Sequence, residues 1–222
     1  MTFSLAARCP ESGAFGIVIS SSSPAVAARC AHVRAAVGAA CTQNITDPRL
    51  GPALLDELAG APAPEALAAL VSREPTAAYR QLTLVDAQGR TAAYSGEHTL
   101  GLHASAHGDG AVAAGNLLAS DAVPAAMLEA FASVAPAFGD RLVAALRAAG
   151  EAGGEAGPVR SAGLLIADRV SWPVADLRVD WHEDPLGELE RLWLLWEPQL
   201  DDYVRRAIDP TAAPSYGVPG DP

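Results

Sequence analysis

Lysine is missing from this sequence: all fifteen basic residues are arginine. Its absence excludes a phosphate-loop lysine, Schiff-base chemistry and a serine–lysine dyad together. Aromatic residues are scarce at 5% and charged residues at 18%. The three cysteines, Cys9, Cys30 and Cys41, are odd in number and not closely spaced. They argue against a disulfide framework and fit a reducing compartment. No run is long and apolar enough to span a bilayer. The opening MTFSLAARCP lacks the basic and then apolar regions of a signal peptide, so a soluble, cytoplasmic protein is expected. No G-x-S-x-G elbow is present, and Gly108-Asp109-Gly110 lacks the third glycine of a dinucleotide loop.

What the chain has in quantity is apolar residues and acid. Hydrophobic residues make up 50% of the 222, enough for a sizeable core, and alanine is over-used. The formal net charge is −11 and the pI about 4.8. Such a surface repels phosphate backbones and anionic membranes, so neither nucleic acid nor membrane is an expected partner.

Periodicity gives the order of elements. Thr2 to Arg8 and Ala14 to Ser21 read as strands around the turn Pro10-Glu11-Ser12-Gly13. Val33 to Cys41 reads as one extended, buried stretch. Leu50, Leu54, Leu55 and Leu58 have helical spacing after Asp47-Pro48, and a second helix is expected from Pro64 to Arg73. Arg80 to Asp86 and Thr91 to Ser95 form a hairpin pattern. A Gly/His-rich stretch, Gly101 to Gly110, leads into a strand over 111–118. Helices are expected at 121–134 and 138–149, and a flexible loop over the Gly/Glu/Ala run 150–157. Ser161 to Ala167 and Leu177 to Trp181 read as strands. A long helix capped by Asp184 carries the stripe Leu189, Leu192, Trp193, Trp196 and Leu200. Strands and paired helices alternate in blocks without βαβ regularity, so an α+β fold of two stacked antiparallel sheets with helices outside is expected. The expectation is one domain over residues 1–208, followed by a Pro-rich, disordered tail over 209–222.

Met1-Thr2 is the sharpest local feature. Initiator methionine is normally removed before a small residue, which would leave threonine as the first residue of a strand. One residue then holds a hydroxyl nucleophile and an α-amine whose pKa is about 7.7–8.0, against about 10.4 for lysine. Such a threonine carries its own general base. The plain alternative is that Met-Thr is a common gene start.

The segments TFSLAARCPESGAFGIVIS, CTQNITDPRLGP, GDGAVAAGNLLAS, SAGLLIA and DLRVDWHEDPLGELERL resemble, in order, a bacterial family known as domain of unknown function 1028. The resemblance implies an N-terminal-nucleophile (Ntn) hydrolase-like, proteasome-like fold, a four-layer αββα sandwich. It implies Thr2 as nucleophile and Asn116 as oxyanion donor, a strand-end turn residue being the alternative for Asn116. Arg34, Thr42 and Gln43 match family positions, with Arg34 holding a substrate carboxylate or lowering the amine pKa, or else forming an ion pair. Asp109 and Ser161 would orient the terminal amine. Two departures stand out. Proteasome-type sites use a lysine that this chain lacks, and Asn44 replaces a small apolar residue.

His103 and His107, four apart, with Asp109, give a weaker metal reading; the Gly-rich extended context makes that spacing uninformative, and no metal is expected. Cys41 reads as a quiet core thiol. The expectation is therefore a cofactor-free amidohydrolase acting on a small amide or lactam and forming a homo-oligomer, such as a dimer. The alternative is a non-catalytic scaffold or small-molecule-binding protein of the same fold.

Overall fold

The structure, a computed structural model, describes residues 2–133 and 137–219. The first hairpin forms as expected, from β1 (Thr2–Arg8) and β2 (Phe15–Ser21). A five-residue helix α1 (Val26–Cys30), not expected from the sequence, leads into β3 (Ala31–Arg34) and β4 (Gly38–Asn44). These two strands replace the single extended stretch expected over 33–41. The chain reverses through Ala36, which adopts φ 61 without a glycine or asparagine to announce the turn. Helices α2 (Leu50–Leu58) and α3 (Ala63–Arg73) and strands β5 (Arg80–Asp86) and β6 (Thr91–Ser95) follow. The Gly/His-rich stretch contains β7 (Ala104–Gly108), paired with β8 (Ala111–Asn116).

Next come α4 (Val123–Ser133), α5 (Phe138–Glu151), β9 (Ser161–Ala167) and β10 (Pro173–Val179). The expected end of the first of these helices, Val134, lies outside the described residues, and β10 begins four residues before the strand expected at Leu177. The long final helix is two: α6 (Pro185–Trp196) and α7 (Leu200–Ile208), separated by a 3-10 turn around Pro198. Proline has no N–H to continue the α-helical ladder. Asp184 caps α6 as expected, accepting from Gly187 N at 3.0 Å. Beyond α7, the Tyr216 ring lies 4.0 Å from the Arg206 guanidinium. Residues 220–222 of the tail lie outside the described residues.

Two antiparallel sheets result. One runs β10-β9-β2-β1-β8-β7 and the other β3-β4-β5-β6. Period-2 alternation decides what each face meets. In β1, Phe3, Leu5 and Ala7 join a core with Met127, Leu142, Leu146 and Trp193 of the helices outside the larger sheet. Ala6 turns the other way, to a second core with Ile17, Ile19, Ala39, Cys41, Val85 and Leu165, between the sheets. A third core packs Leu82 and Leu84 of β5 against Leu54 and Leu67 of α2 and α3. Three apolar interfaces separate four layers, helix, sheet, sheet and helix. The expected stripe on the last helix joins the first core through buried Leu189 and Trp193, and the Trp193 indole donates to Asp140 at 2.7 Å.

Gly163 shows how tightly the layers close. A Cβ there would lie 2.3 Å from the Cβ of Ala27 in α1. Gly163→Val should therefore force α1 off β9 and lower stability by about 1–3 kcal/mol, read as a lower urea midpoint with an unchanged slope.

Candidate active site

The space between the sheets changes character along the strands. At one end it is apolar; at the other it is lined by Thr2, Ser4, Gln43, Gln81 and Asn116, all buried. Antiparallel pairing gathers them. The first residue of β1, the last residues of β4 and β8 and the start of β5 meet at the same end of the sandwich. Thr2 lies opposite Asn116 in the β1–β8 register.

These side chains form one connected network. Ser4 Oγ donates to Gln43 Oε1 at 2.8 Å. Gln43 Nε2 donates to Gln81 Oε1 at 2.8 Å and to the Ala114 carbonyl at 3.2 Å. Gln81 Nε2 donates to the Gly115 carbonyl and to Ser95 Oγ, each at 3.0 Å. Asn116 Nδ2 donates to Gln81 Oε1 at 3.1 Å. Carbonyl oxygens only accept, so Ala114 and Gly115 of β8 fix which way both glutamine amides face. With Gln81 Oε1 so placed, the Asn116 amide must present nitrogen to it. Asn116 Oδ1 is left buried, with no partner among the described residues. Ser95 is exposed, so the network runs from the buried hydroxyl of Ser4 to solvent.

The rim is strained and apolar. Asn44 (φ 75), Leu117 (φ 51) and Ala25 (φ 52) hold left-handed backbone at this end, a conformation that non-glycine residues rarely adopt. Asn44 ties the rim together: its Nδ2 donates to the Tyr79 carbonyl at 2.7 Å, and its Oδ1 accepts from Leu100 N at 3.1 Å. Leu117 N donates to the Leu100 carbonyl at 3.0 Å. Ile45, Tyr79 and Leu100, each one or two residues from a network member or bonded to the rim, are partly exposed hydrophobics. The polar asparagine at position 44 thus organises the rim.

The other expected residues fall elsewhere. Thr42 faces α2, and its Oγ1 donates to the Asp47 carbonyl at 3.3 Å, so it stands behind the network. Ser161 Oγ accepts from Val26 N at 3.2 Å and donates to the Ser23 carbonyl at 2.6 Å; it sits at the same end of the sheet but pins the 23–26 loop. Arg34 pairs with Asp56 at 2.8 Å on the surface. Its strand partner Gly38 is five residues of β4 from Gln43, about 17 Å at strand rise. Asp109 occupies the β7–β8 turn, beyond Ala111, which pairs with Ala7 at the far end of β1. It lines a cavity of about 250 Å³ with Arg8 and Arg141. Neither Arg34 nor Asp109 is brought to Thr2. His107 bonds Thr91 Oγ1 at 2.8 Å, and no group of three or more His, Cys, Asp or Glu among the described residues is placed to hold a metal ion. The Cys41 thiol, fully enclosed, is pushed up to about 12 by burial.

Sequence reasoning missed two members. Gln81 was visible only as one of several polar residues in β5. Glu155 lies in the run 150–157, expected as a flexible loop, yet it is buried and accepts from Ser22 N with both carboxylate oxygens, at 3.0 and 3.2 Å. Its one sequence signal is an acid embedded among glycines and alanines. A further cavity of about 560 Å³ lies outside the smaller sheet, lined by Leu67, Val71, Tyr94 and His107, and no described helix is long and apolar enough to cross a membrane.

Two measurements check this geometry. Gln43→Ala strips Ser4, Gln81 and the Ala114 carbonyl of a buried partner and should cost about 1–3 kcal/mol in chemical denaturation. Asp47, beneath Thr42, accepts three bonds from the Arg49 side chain and one from its backbone N–H. Those bonds lower its pKa from 3.8 to about 2. A depressed carboxylate stabilises the fold above its ordinary pKa, and that contribution fades as pH falls from there towards the folded value. Asp47→Asn should therefore be less stable than the parent at neutral pH, with the gap closing across the interval from 3.8 to about 2.

Comparison with known proteins completes the description. No curated protein matches the chain. The crystal structure of protein SPO2555 from Silicibacter pomeroyi, described with the same family model, superposes with a TM-score of 0.85 at 31% identity, covering 92% of this chain and 90% of that one. The model described as "Family of unknown function (DUF1028)" matches residues 2–189. With the match running from the head of β1 into α6, the chain belongs to the DUF1028 family.

Proposed function

We propose that the protein is a cofactor-free, Ntn-type amidohydrolase whose nucleophile is Thr2 after removal of Met1, a residue outside the described ones. One observation carries the reading. Thr2 heads the central strand β1 directly across from a buried carboxamide, Asn116, whose Oδ1 has no described partner. Leaving a buried acceptor unmet costs about 1–3 kcal/mol, an arrangement that a ligand N–H relieves. An amide or lactam substrate brings such an N–H beside the carbonyl to be attacked.

The chemistry follows from the residues. Thr2 Oγ adds to the carbonyl carbon while the α-amine takes the hydroxyl proton. The Asn116 Nδ2 hydrogen not held by Gln81, with backbone N–H groups, stabilises the oxyanion. The leaving nitrogen departs with the proton, and water cleaves the resulting threonyl ester. Exposed Ile45, Tyr79 and Leu100 at the rim favour a substrate with an apolar substituent.

A second reading has its own support. Thr2 is only 4% exposed. That favours a non-catalytic binding protein of the same fold. The two separate on treatment with a threonine-directed electrophile. Catalysis requires host-derived protein to lack Met1 by intact mass, an adduct on Thr2, and loss of both adduct and amide turnover in Thr2→Ala. Asn116→Ala should slow turnover by about 10²–10³. A Thr2→Ala protein with undiminished turnover would exclude this mechanism.

A further inference from the structure

Strand β1 lies between β2 and β8; both neighbours end level with its head, at Ser21 and Asn116, and the chain continues from each into a loop. Beyond β2, Ser22 N donates to the Glu155 carboxylate. Beyond β8, Leu118 pairs with Glu155 in an isolated bridge, Ala156 N donates to the Leu117 carbonyl at 2.9 Å, and Ala119 N donates to the Gly154 carbonyl at 3.0 Å. Gly154 itself, at φ 57, packs on the Phe3 ring. Glu155 therefore spans the two strands that flank β1, across the place where β1 begins. Its carboxylate is buried there at 4% exposure.

A buried carboxylate whose hydrogen-bond donors among the described residues all come from neutral Ser22 is a costly arrangement, because two oxygens can accept about four hydrogen bonds and the charge needs a partner. Cations close to this end are committed elsewhere. Arg160 pairs with Glu183, Arg49 with Asp47, and the Arg80 guanidinium donates to the Ile45 carbonyl. Burial raises the Glu155 pKa, while hydrogen bonds from the side chain and backbone of Ser22 pull it back down.

We propose that Glu155 is the positioning residue for the nucleophile: its carboxylate accepts a hydrogen bond from the α-amine of Thr2 in the processed chain. The proposal rests on the N-terminal-nucleophile reading and names an acid as the group that orients the amine. Held through one N–H, the neutral amine turns its lone pair towards Thr2 Oγ. Held as an ammonium, it neutralises the buried carboxylate. Met1-free protein with the Glu155 contact should thus combine an amine of raised basicity with a fixed orientation.

The test reads the amine without any substrate. Competitive acylation of the Thr2 amine across pH, on processed protein verified by intact mass, gives its titration midpoint. The pairing puts the native midpoint about one pH unit or more above that of the same protein in urea. Glu155→Gln, which keeps an acceptor for Ser22 N but removes the charge, should bring the midpoint back to the urea value, and Glu155→Asp should restore part of the shift. A native midpoint at or below the urea value overturns the proposal even if Glu155→Gln fails to fold. So does a midpoint unchanged in a folded Glu155→Gln. Because amide turnover is measured separately, a raised midpoint without turnover retains the pairing and removes the hydrolase, and turnover with an unshifted midpoint does the reverse.

Discussion

The two sheets are held in register at one end by amides that have no freedom to turn. Backbone carbonyls of Ala114 and Gly115 in β8 dictate the facing of Gln43 and Gln81, and these dictate the facing of Asn116. A polar network in a low-dielectric interior is costly when half satisfied and rigid when complete. Here, among the described residues, one acceptor of the network is unmet, on Asn116 across from Thr2. The rest of the site depends on that constraint. The orientation of the unmet group is decided by main-chain atoms on another strand.

The fold supplies the frame for this arrangement cheaply. Small residues fill the space between sheets: Ala6, Ala39, Ala114 and Gly163 allow the layers to approach closely. Alanine excess thus has a packing role as well as a compositional one. At the opposite end Phe15, Ile17, Val85 and Leu165 make a dry core. The sandwich consequently has a stable end and an end that holds polar groups and left-handed backbone, the division of labour expected where strain is retained for binding or chemistry.

The absence of lysine changes how a threonine site would be organised. In the proposed arrangement ordering falls to Glu155, carried by a segment in which Gly153 and Gly154 hold φ 112 and 57. Asn44 stitches Tyr79, His98 and Leu100 into the rim.

Much of the fold was legible from local chemistry. The strands at Arg80–Asp86, Thr91–Ser95 and Ser161–Ala167 and the start of α6 follow from alternation, turn residues and a capping aspartate, because those signals act between near neighbours. The turn at Ala36 was not legible, since an alanine forced to positive φ by its surroundings leaves no mark in sequence. Thr2, Asn116 and Gln43 were readable as candidates, and the structure gathers them at one end of the sandwich. Only tertiary structure decided that Thr42 faces a helix, that Arg34 and Asp109 lie remote, and that Gln81 and Glu155 join the site. Strand pairing and sheet stacking bring together residues far apart in the chain, and a residue's face is fixed by register against a partner strand that its own neighbourhood does not encode.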